Sequence, residues 1–317
     1  MKRRAFLKMT GGALAAAGLG SLVPGAISPT RAQDAATGQA SGPAAATTGA
    51  PEVVLVENGE PVALLQAALK EMGGMGKFVS RGDVVVVKPN IGWDRPPELA
   101  GNTNPDLVAE VVKECLNAGA KVVKVFDRTC NNPLRCYANS GIEAAAAGAG
   151  AEVSQIDESR FKTIGLKNGE AVKSWDIYQD YLEADKVINV PIAKHHGLAR
   201  VTLGLKNLMG VMGGQRGQIH NPFDKKLNDI AGEILPTLTI IDAYRLLMNN
   251  GPSGGNPADV KLAKTLIMSP CTVSADLTAL PLFGLQVGDL PYLQEAVNRK
   301  MFKFDPARLN VKKLSLS

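Results

Sequence analysis

Short β-branched runs that alternate with amphipathic helical stretches predict an α/β protein, with a mainly parallel open sheet and helices on both faces. Two further observations support that class. Residues 84–87 are four consecutive valines, the continuous apolar pattern of a strand buried on both faces. Asn104-Pro105 precedes a 3.6-residue apolar period over 106–116, which is how a capped helix begins, and Gly119 stands where that helix should stop. In chain order, 52–57 reads as a strand and 62–72 as a helix with Val62, Leu65, Ala68 and Leu69 on one face. Further strands are expected at 84–87, 121–126, 151–156, 186–190, 237–241 and 264–268. Further helices are expected at 106–116, 142–149, 274–283 and 292–301. There is no internal repeat. Residues 52–317 therefore read as one α/β domain, with room for a small subdomain inside 156–185.

Composition removes several classes of function. Of 317 residues, 45% are hydrophobic and 21% charged, which excludes a disordered or collagen-like chain. The net charge of +5 comes from the N-terminus, where Lys2, Arg3, Arg4, Lys8 and Arg31 precede the first acid, Asp34. Beyond them bases and acids balance, so the remaining chain has no global charge that would favour nucleic acid or an acidic membrane. Arg3-Arg4, then Phe6-Leu7-Lys8 and a soft Gly/Ala stretch, read as a twin-arginine export signal over 1–32, with Thr30-Arg31-Ala32 as the cleavage site. The expected location is periplasmic or otherwise exported, and the expected partner is the twin-arginine export machinery. Retention as an anchor is the alternative, opposed by Gly20 and Pro24 inside the apolar stretch. Residues 33–51, rich in Ala, Gly, Ser and Thr, read as a flexible linker. Nothing later is long and apolar enough for stable membrane insertion.

In an open parallel sheet ligands bind beyond the carboxyl ends of the strands. Four expected strands end in ionisable residues. Lys88 and Asn90 follow 84–87; Asp127 follows 121–126; Lys194, His195 and His196 follow 186–190; Asp242 follows 237–241. Their convergence would line a cleft with bases and acids for a small-molecule ligand. Asp127, Lys194, His195 and Asp242 are the candidate catalytic groups. Lys88, Asn90, Lys206, Asn207, Gly254 and Gly255 are the candidate ligand-binding groups, the last two because exposed glycine backbone can hold an anion. Asp276, at a helix start, is a further candidate for the same cleft. A glycine-rich stretch over 204–214 leads to Arg216 and His220. Neither it nor 250–256 matches a phosphate-loop lysine motif or a dinucleotide fingerprint.

At these residues the chain resembles the DUF362 family. The resemblance spans nearly all of the chain after the export signal. It rests on Val-Lys-Pro-Asn-Ile-Gly (87–92), Thr103-Asn104-Pro105, Gly-Ala-Lys-Val (119–122) and Ile-Asn-Val-Pro-Ile-Ala-Lys-His-His-Gly-Leu (188–198). Thr202 to Gly210, Asp242-Ala243 and Asn250-Gly251-Pro252 extend it in order. It implies a fold but no reaction. Some relatives append a ferredoxin-like module with closely spaced cysteines. This chain has no C-x-x-C, so an iron–sulfur role does not transfer.

His195, His196 and His220, with a carboxylate, would suit a divalent metal ion with open positions. Adjacent residues in a strand point to opposite faces, so both His195 and His196 reach one ion only if the segment is a loop. Met209 and Met212 would suit copper, but a pair three apart reads more readily as core. In an oxidising compartment Cys130 and Cys136 are expected to pair across a short loop, with a catalytic thiol at Cys130 the alternative. Cys115 and Cys271 read as buried small hydrophobes. The expected function is a metal-assisted enzyme acting on a small anionic substrate. A non-catalytic metal- or ligand-binding protein, and a docking subunit of a redox complex, stay open.

Overall fold

The four valines at 84–87 form the first part of a strand, and the sheet is laid out around it. The computed structural model describes residues 50–317. The expected export signal, and the expected linker as far as residue 49, lie outside the described residues. In chain order the elements are β1 (Val53–Glu57), α1 (Pro61–Met72), β2 (Val84–Pro89), α2 (Pro105–Asn117), β3 (Val122–Val125), α3 (Pro133–Asn139), α4 (Ile142–Gly148) and β4 (Glu152–Val153). Then come β5 (Phe161–Gly165), β6 (Ser174–Tyr178), α5 (Gln179–Glu183), β7 (Lys186–Val190), β8 (Ile192–His196), β9 (Arg200–Thr202), α6 (Gly204–Asn207) and α7 (Phe223–Ala231). The chain closes with β10 (Leu238–Leu247), β11 (Val260–Ser269), α8 (Thr272–Ala279), α9 (Pro291–Asn298) and β12 (Val311–Ser315).

Ten strands share one sheet in the order β12-β1-β11-β10-β7-β2-β3-β4, with β8 beside β10 and β9 beside β8. The half from β10 through β7, β2 and β3 to β4 is parallel. The pairs β10–β11 and β11–β1 are antiparallel. The predicted class therefore holds. Each sheet face carries its own core. Val85 and Val87 join Leu65, Leu107 and Val111 on one face, while Val86 joins Val187, Leu205 and Leu227 on the other. That alternation is the period-two geometry of a strand covered on both sides. Each buried valine contributes about 1.5–3 kcal/mol relative to an exposed one. Residues 156–185 hold the two-stranded β5–β6 sheet, and Leu166, Ile177 and Tyr178 from this segment belong to the main core.

Two expected boundaries were wrong in ways that bear on the site. The strand predicted at 237–241 runs on to Leu247, and the segment after β7, expected as a loop, is strand β8. Both have one cause. β7 stops at Pro191, which has no N–H to donate, and the Pro191 carbonyl instead accepts from Asp242 N at 2.8 Å. β10 then continues beyond β7 and pairs with β8, Asp242 opposite Ile192.

Helix α2 begins as predicted, with the Asn104 side chain accepting from Asp106 N at 2.9 Å. Asp276 of α8 holds the short helix α6 in place. Its two oxygens accept from Gly204 N at 2.6 Å and Leu205 N at 2.9 Å. It lies wholly buried, and burial pushes its carboxyl up to about 7 against the pull of those two N–H groups. Asp276→Ala leaves both buried donors unpaired, so denaturant unfolding should show a loss of about 2–4 kcal/mol. An unchanged midpoint and slope would mean that α6 does not depend on this carboxylate.

Candidate functional site

β2 and β3 are parallel neighbours in register, Val87 opposite Val125, so the residues that follow them emerge side by side. Lys88 and Asp127 thereby meet, Nζ to Oδ1 at 2.8 Å, and both are buried. The other Asp127 oxygen accepts from Ile91 N at 2.6 Å, and Lys88 Nζ donates to the Pro89 carbonyl at 2.9 Å. Burial lowers the Lys88 pKa and the Asp127 carboxylate opposes that shift. The backbone at Gly210 lies directly on this pair. A Cβ there would fall on Asp127 Oδ1 and Lys88 Nζ, so glycine is required.

Lys194 projects from β8 and is 1% exposed. Its ammonium donates to Asn90 Oδ1 at 3.1 Å and to the Gly101 carbonyl at 2.5 Å. Asn90 in turn donates to Asn207, Asn207 to Asn189, and Asn189 to the Gly204 carbonyl, at 3.0, 2.9 and 3.0 Å. Burial pushes Lys194 down to about 7. Lys206, from α6, is 8% exposed. Among the described residues its Nζ finds as acceptor only the Met209 sulfur at 3.8 Å, and it lies 5.7 Å from the centre of the Phe223 ring. Burial pushes it down to about 8.

Arg216 sits in the glycine-rich loop after α6. The β5–β6 hairpin fixes that loop: Gly213 N donates to the Asp176 carbonyl at 2.7 Å, and the Phe161 ring occupies the space a side chain at 213 would need. The Arg216 guanidinium donates to the carbonyls of Arg128 at 2.6 Å and Thr129 at 3.1 Å, and reaches Cys130 Sγ at 3.4 Å. Arg128 is paired with Glu158 at 2.9 Å.

These groups line one cavity of about 260 Å³ together with Asn90, Asn207, His196, His220, Trp93, Met209, Thr202 and Pro252. Asp127 is the single carboxylate in that lining. The cavity is thus strongly cationic, with Lys194, Lys206 and Arg216 lacking a carboxylate partner among the described residues.

The sequence reading placed Lys88, Asn90, Asp127, Lys194, His196, Lys206, Asn207 and His220 together, and they line the cavity. Five other candidates do not. His195 turns to the opposite face of β8, where Nδ1 accepts from Gly251 N at 3.0 Å. Asp242 lies inside β10, accepting from Asn104 N at 2.7 Å and Tyr244 N at 3.0 Å, so it braces the start of α2. Gly254 and Gly255 pack against Leu247 and Arg95, and only Pro252 of their loop reaches the cavity. Asp276 stays behind α6, as described above. Arg128, Trp93 and Thr202 were missed. Arg128 immediately follows Asp127 at a strand end and so carried the same signal.

His195 and His196 do not fit the expected metal. His196 Nδ1 accepts from Leu198 N and Ala199 N, both at 3.2 Å. A ring that accepts at Nδ1 carries its hydrogen on Nε2, whereas a ligating histidine donates one nitrogen to its surroundings and offers the other lone pair to the metal. His195 is held in the same tautomer by Gly251. Burial keeps His196 neutral, its pKa pushed down to about 3. The His196 and His220 rings stack with centres 5.9 Å apart, and His220 stacks on Phe223 at 5.0 Å. Among the described residues no three His, Cys, Asp or Glu side chains converge as a metal-binding group. The expected Cys130–Cys136 disulfide is also absent: all four cysteines are free. Cys136 faces the core, its Sγ 3.8 Å from the Gly92 carbonyl, while Cys130 is exposed and faces Arg216.

No helix among the described residues is long and apolar enough to cross a membrane. The chain is 28% identical over 243 residues to a thylakoid-associated protein of Synechocystis sp., an alignment covering 74% of each protein. Among solved structures it is similar to the lactate racemase apoprotein from Thermoanaerobacterium thermosaccharolyticum, with a TM-score of 0.44 at 14% identity, over 68% of this chain and 54% of that one. A Thermotoga maritima protein aligns with a TM-score of 0.45 at 12% identity, over 72% of this chain and 60% of that one. The chain thus spans little more than half the length of these two structures. Residues 85–281, which include every residue that lines the cavity, match the profile of DUF362, a domain of unknown function, and the chain belongs to that family.

Proposed function

We propose that this protein is an enzyme that binds a small anionic substrate in the cavity between β2, β3, β8 and α6. One observation carries the reading: three buried or half-buried cations, Lys194, Lys206 and Arg216, face a cavity whose single carboxylate is committed to Lys88. Buried charges are costly unless paired, so such a set is a preformed receptor for negative charge. A volume of about 260 Å³ lies below the range of drug-sized pockets and suits a ligand of a few heavy atoms. Lys206 and Arg216 neutralise the anion. Asn90 and the Nε2–H of His196 orient it. Lys194, with its pKa near 7, is the group able to accept or release a proton near neutrality. Asp127 is held by Lys88 and Ile91 N and serves as a brace.

Calorimetry with malonate or inorganic phosphate, and with malonamide as the neutral control, tests this. The dianions should bind with Kd below about 1 mM and the amide should not. Lys206→Met should weaken dianion binding at least tenfold while raising the Tm of the free protein, because it removes an unpaired buried charge. Equal binding of the amide, or unchanged binding by Lys206→Met, overturns the reading.

The pH dependence has a definite sign. The Lys206 pKa is depressed in the folded state relative to the unfolded chain. Below about 8 both states hold the proton and the full cost of the buried charge is present; as pH rises from 8 toward the unfolded value that cost disappears. The Tm advantage of Lys206→Met should therefore be largest at pH 7 and shrink by pH 10. Dianion binding raises both lysine pKa values, so at pH 8 it should take up protons, seen as a heat that depends on the buffer's ionisation enthalpy.

The paired arginines at the N-terminus support an exported location. Arg3→Lys combined with Arg4→Lys should hold the precursor in the cytoplasmic fraction, and unchanged fractionation would remove the twin-arginine route.

A further inference from the structure

Cys130 is placed where the proposed ligand would lie. It follows β3 in the strand-end loop that carries Asp127, and its backbone N–H is tied to the Gly92 carbonyl at 2.8 Å. Its Sγ is exposed, lines the cavity and lies 3.4 Å from Arg216 Nη2. A negative charge on that sulfur interacts favourably with Lys88, Lys194 and Lys206. Reactive thiols occupy such electropositive, partly exposed settings, whereas buried structural thiols are inert. The other three cysteines, Cys115, Cys136 and Cys271, are all buried.

A second, independent observation points to a ligand beside this thiol. Lys206 is buried and directed into the same cavity, and the Met209 sulfur is a poor acceptor for an ammonium. The geometry places an exposed thiol and a buried ammonium whose one acceptor is a thioether sulfur at one small cavity. A carboxylate held by Lys206 would therefore lie in the cavity that Cys130 lines.

We propose that Cys130 is a nucleophile toward small carboxylates that carry a leaving group on the carbon next to the carboxylate. This rests on the anion-site reading above. The Cys130 thiol gives its proton to solvent, and the sulfur attacks that carbon. The S–C bond forms as the bond from carbon to the leaving group breaks, and the leaving group departs with the electron pair. Neither partner is oxidised or reduced. The carboxylate stays neutralised throughout by Lys206 and Arg216, which removes the repulsion that a thiolate ordinarily exerts on an anionic reagent.

The probe is the pair iodoacetate and iodoacetamide on the native full chain, with the Cys130-containing peptide quantified by mass spectrometry against time. An ordinary exposed thiol shows no preference for the anionic reagent. Cys130 should react at least tenfold faster with iodoacetate, malonate should protect it, and Lys206→Met should abolish the preference while the chain keeps its circular dichroism spectrum. Cys130→Ser should still bind malonate, which separates this proposal from the reading beneath it. Equal or faster labelling by iodoacetamide, in a protein that binds malonate, overturns the role of Cys130 and leaves the anion site standing. Iodoacetamide preference together with no malonate binding overturns both.

Discussion

The buried ion pair between Lys88 and Asp127 is the constraint on which the rest of the site depends. It joins the ends of two parallel strands, and through the second Asp127 oxygen it sets the path of the loop at Ile91. The segment after α6 can approach only because Gly210 brings no side chain to the pair. That approach delivers Lys206, Asn207 and Met209 to the cavity from the opposite core layer. Removing one partner of such a pair would cost about 3–5 kcal/mol, because the other charge would be left buried and alone. The pair is therefore poorly suited to proton transfer and well suited to holding two strand ends in fixed relation.

Around that brace the protein accumulates charge it does not neutralise. Lys194 and Lys206 are both buried without a carboxylate partner, which opposes folding of the empty protein. Natural proteins sit above a stability threshold rather than at an optimum, and local violations of polar pairing gather at functional sites. Several neutral side chains nearby are instead held in fixed orientation. The chain of Asn90, Asn207 and Asn189 ends on the Gly204 carbonyl, and His196 is locked by two backbone donors. Unsatisfied cations set in a satisfied polar frame are what a preorganised receptor for an anion requires.

Much of this was legible in the chain itself. The valine run, the Asn104-Pro105 helix start and the alternation of strand and helix patterns each report on short-range physics, and each reappears in the fold. Lys88, Asp127 and Lys194 were legible as site residues because each lies near the carboxyl end of a recognisable strand. Asp242 misled for the same reason. Its strand continues past the expected end, and whether a strand stops depends on a neighbour, here the proline that ends β7. His195 misled because the segment holding it is a strand and not a loop, so alternation turned it away from His196.

The sequence by itself determined the α/β class, the two-faced core and the set of strand ends from which a site could be built. These follow from residue periodicity and from the geometry of helices and strands, which act over a few positions. Only the tertiary structure decided which charges are paired. Lys88 and Lys206 look alike in the chain, yet one meets a carboxylate and the other a thioether sulfur. It also decided that His195 and His196 spend their Nδ1 lone pairs on backbone N–H groups, and that Cys130 faces Arg216. Pairing, tautomer and desolvation depend on atoms that approach from distant parts of the chain.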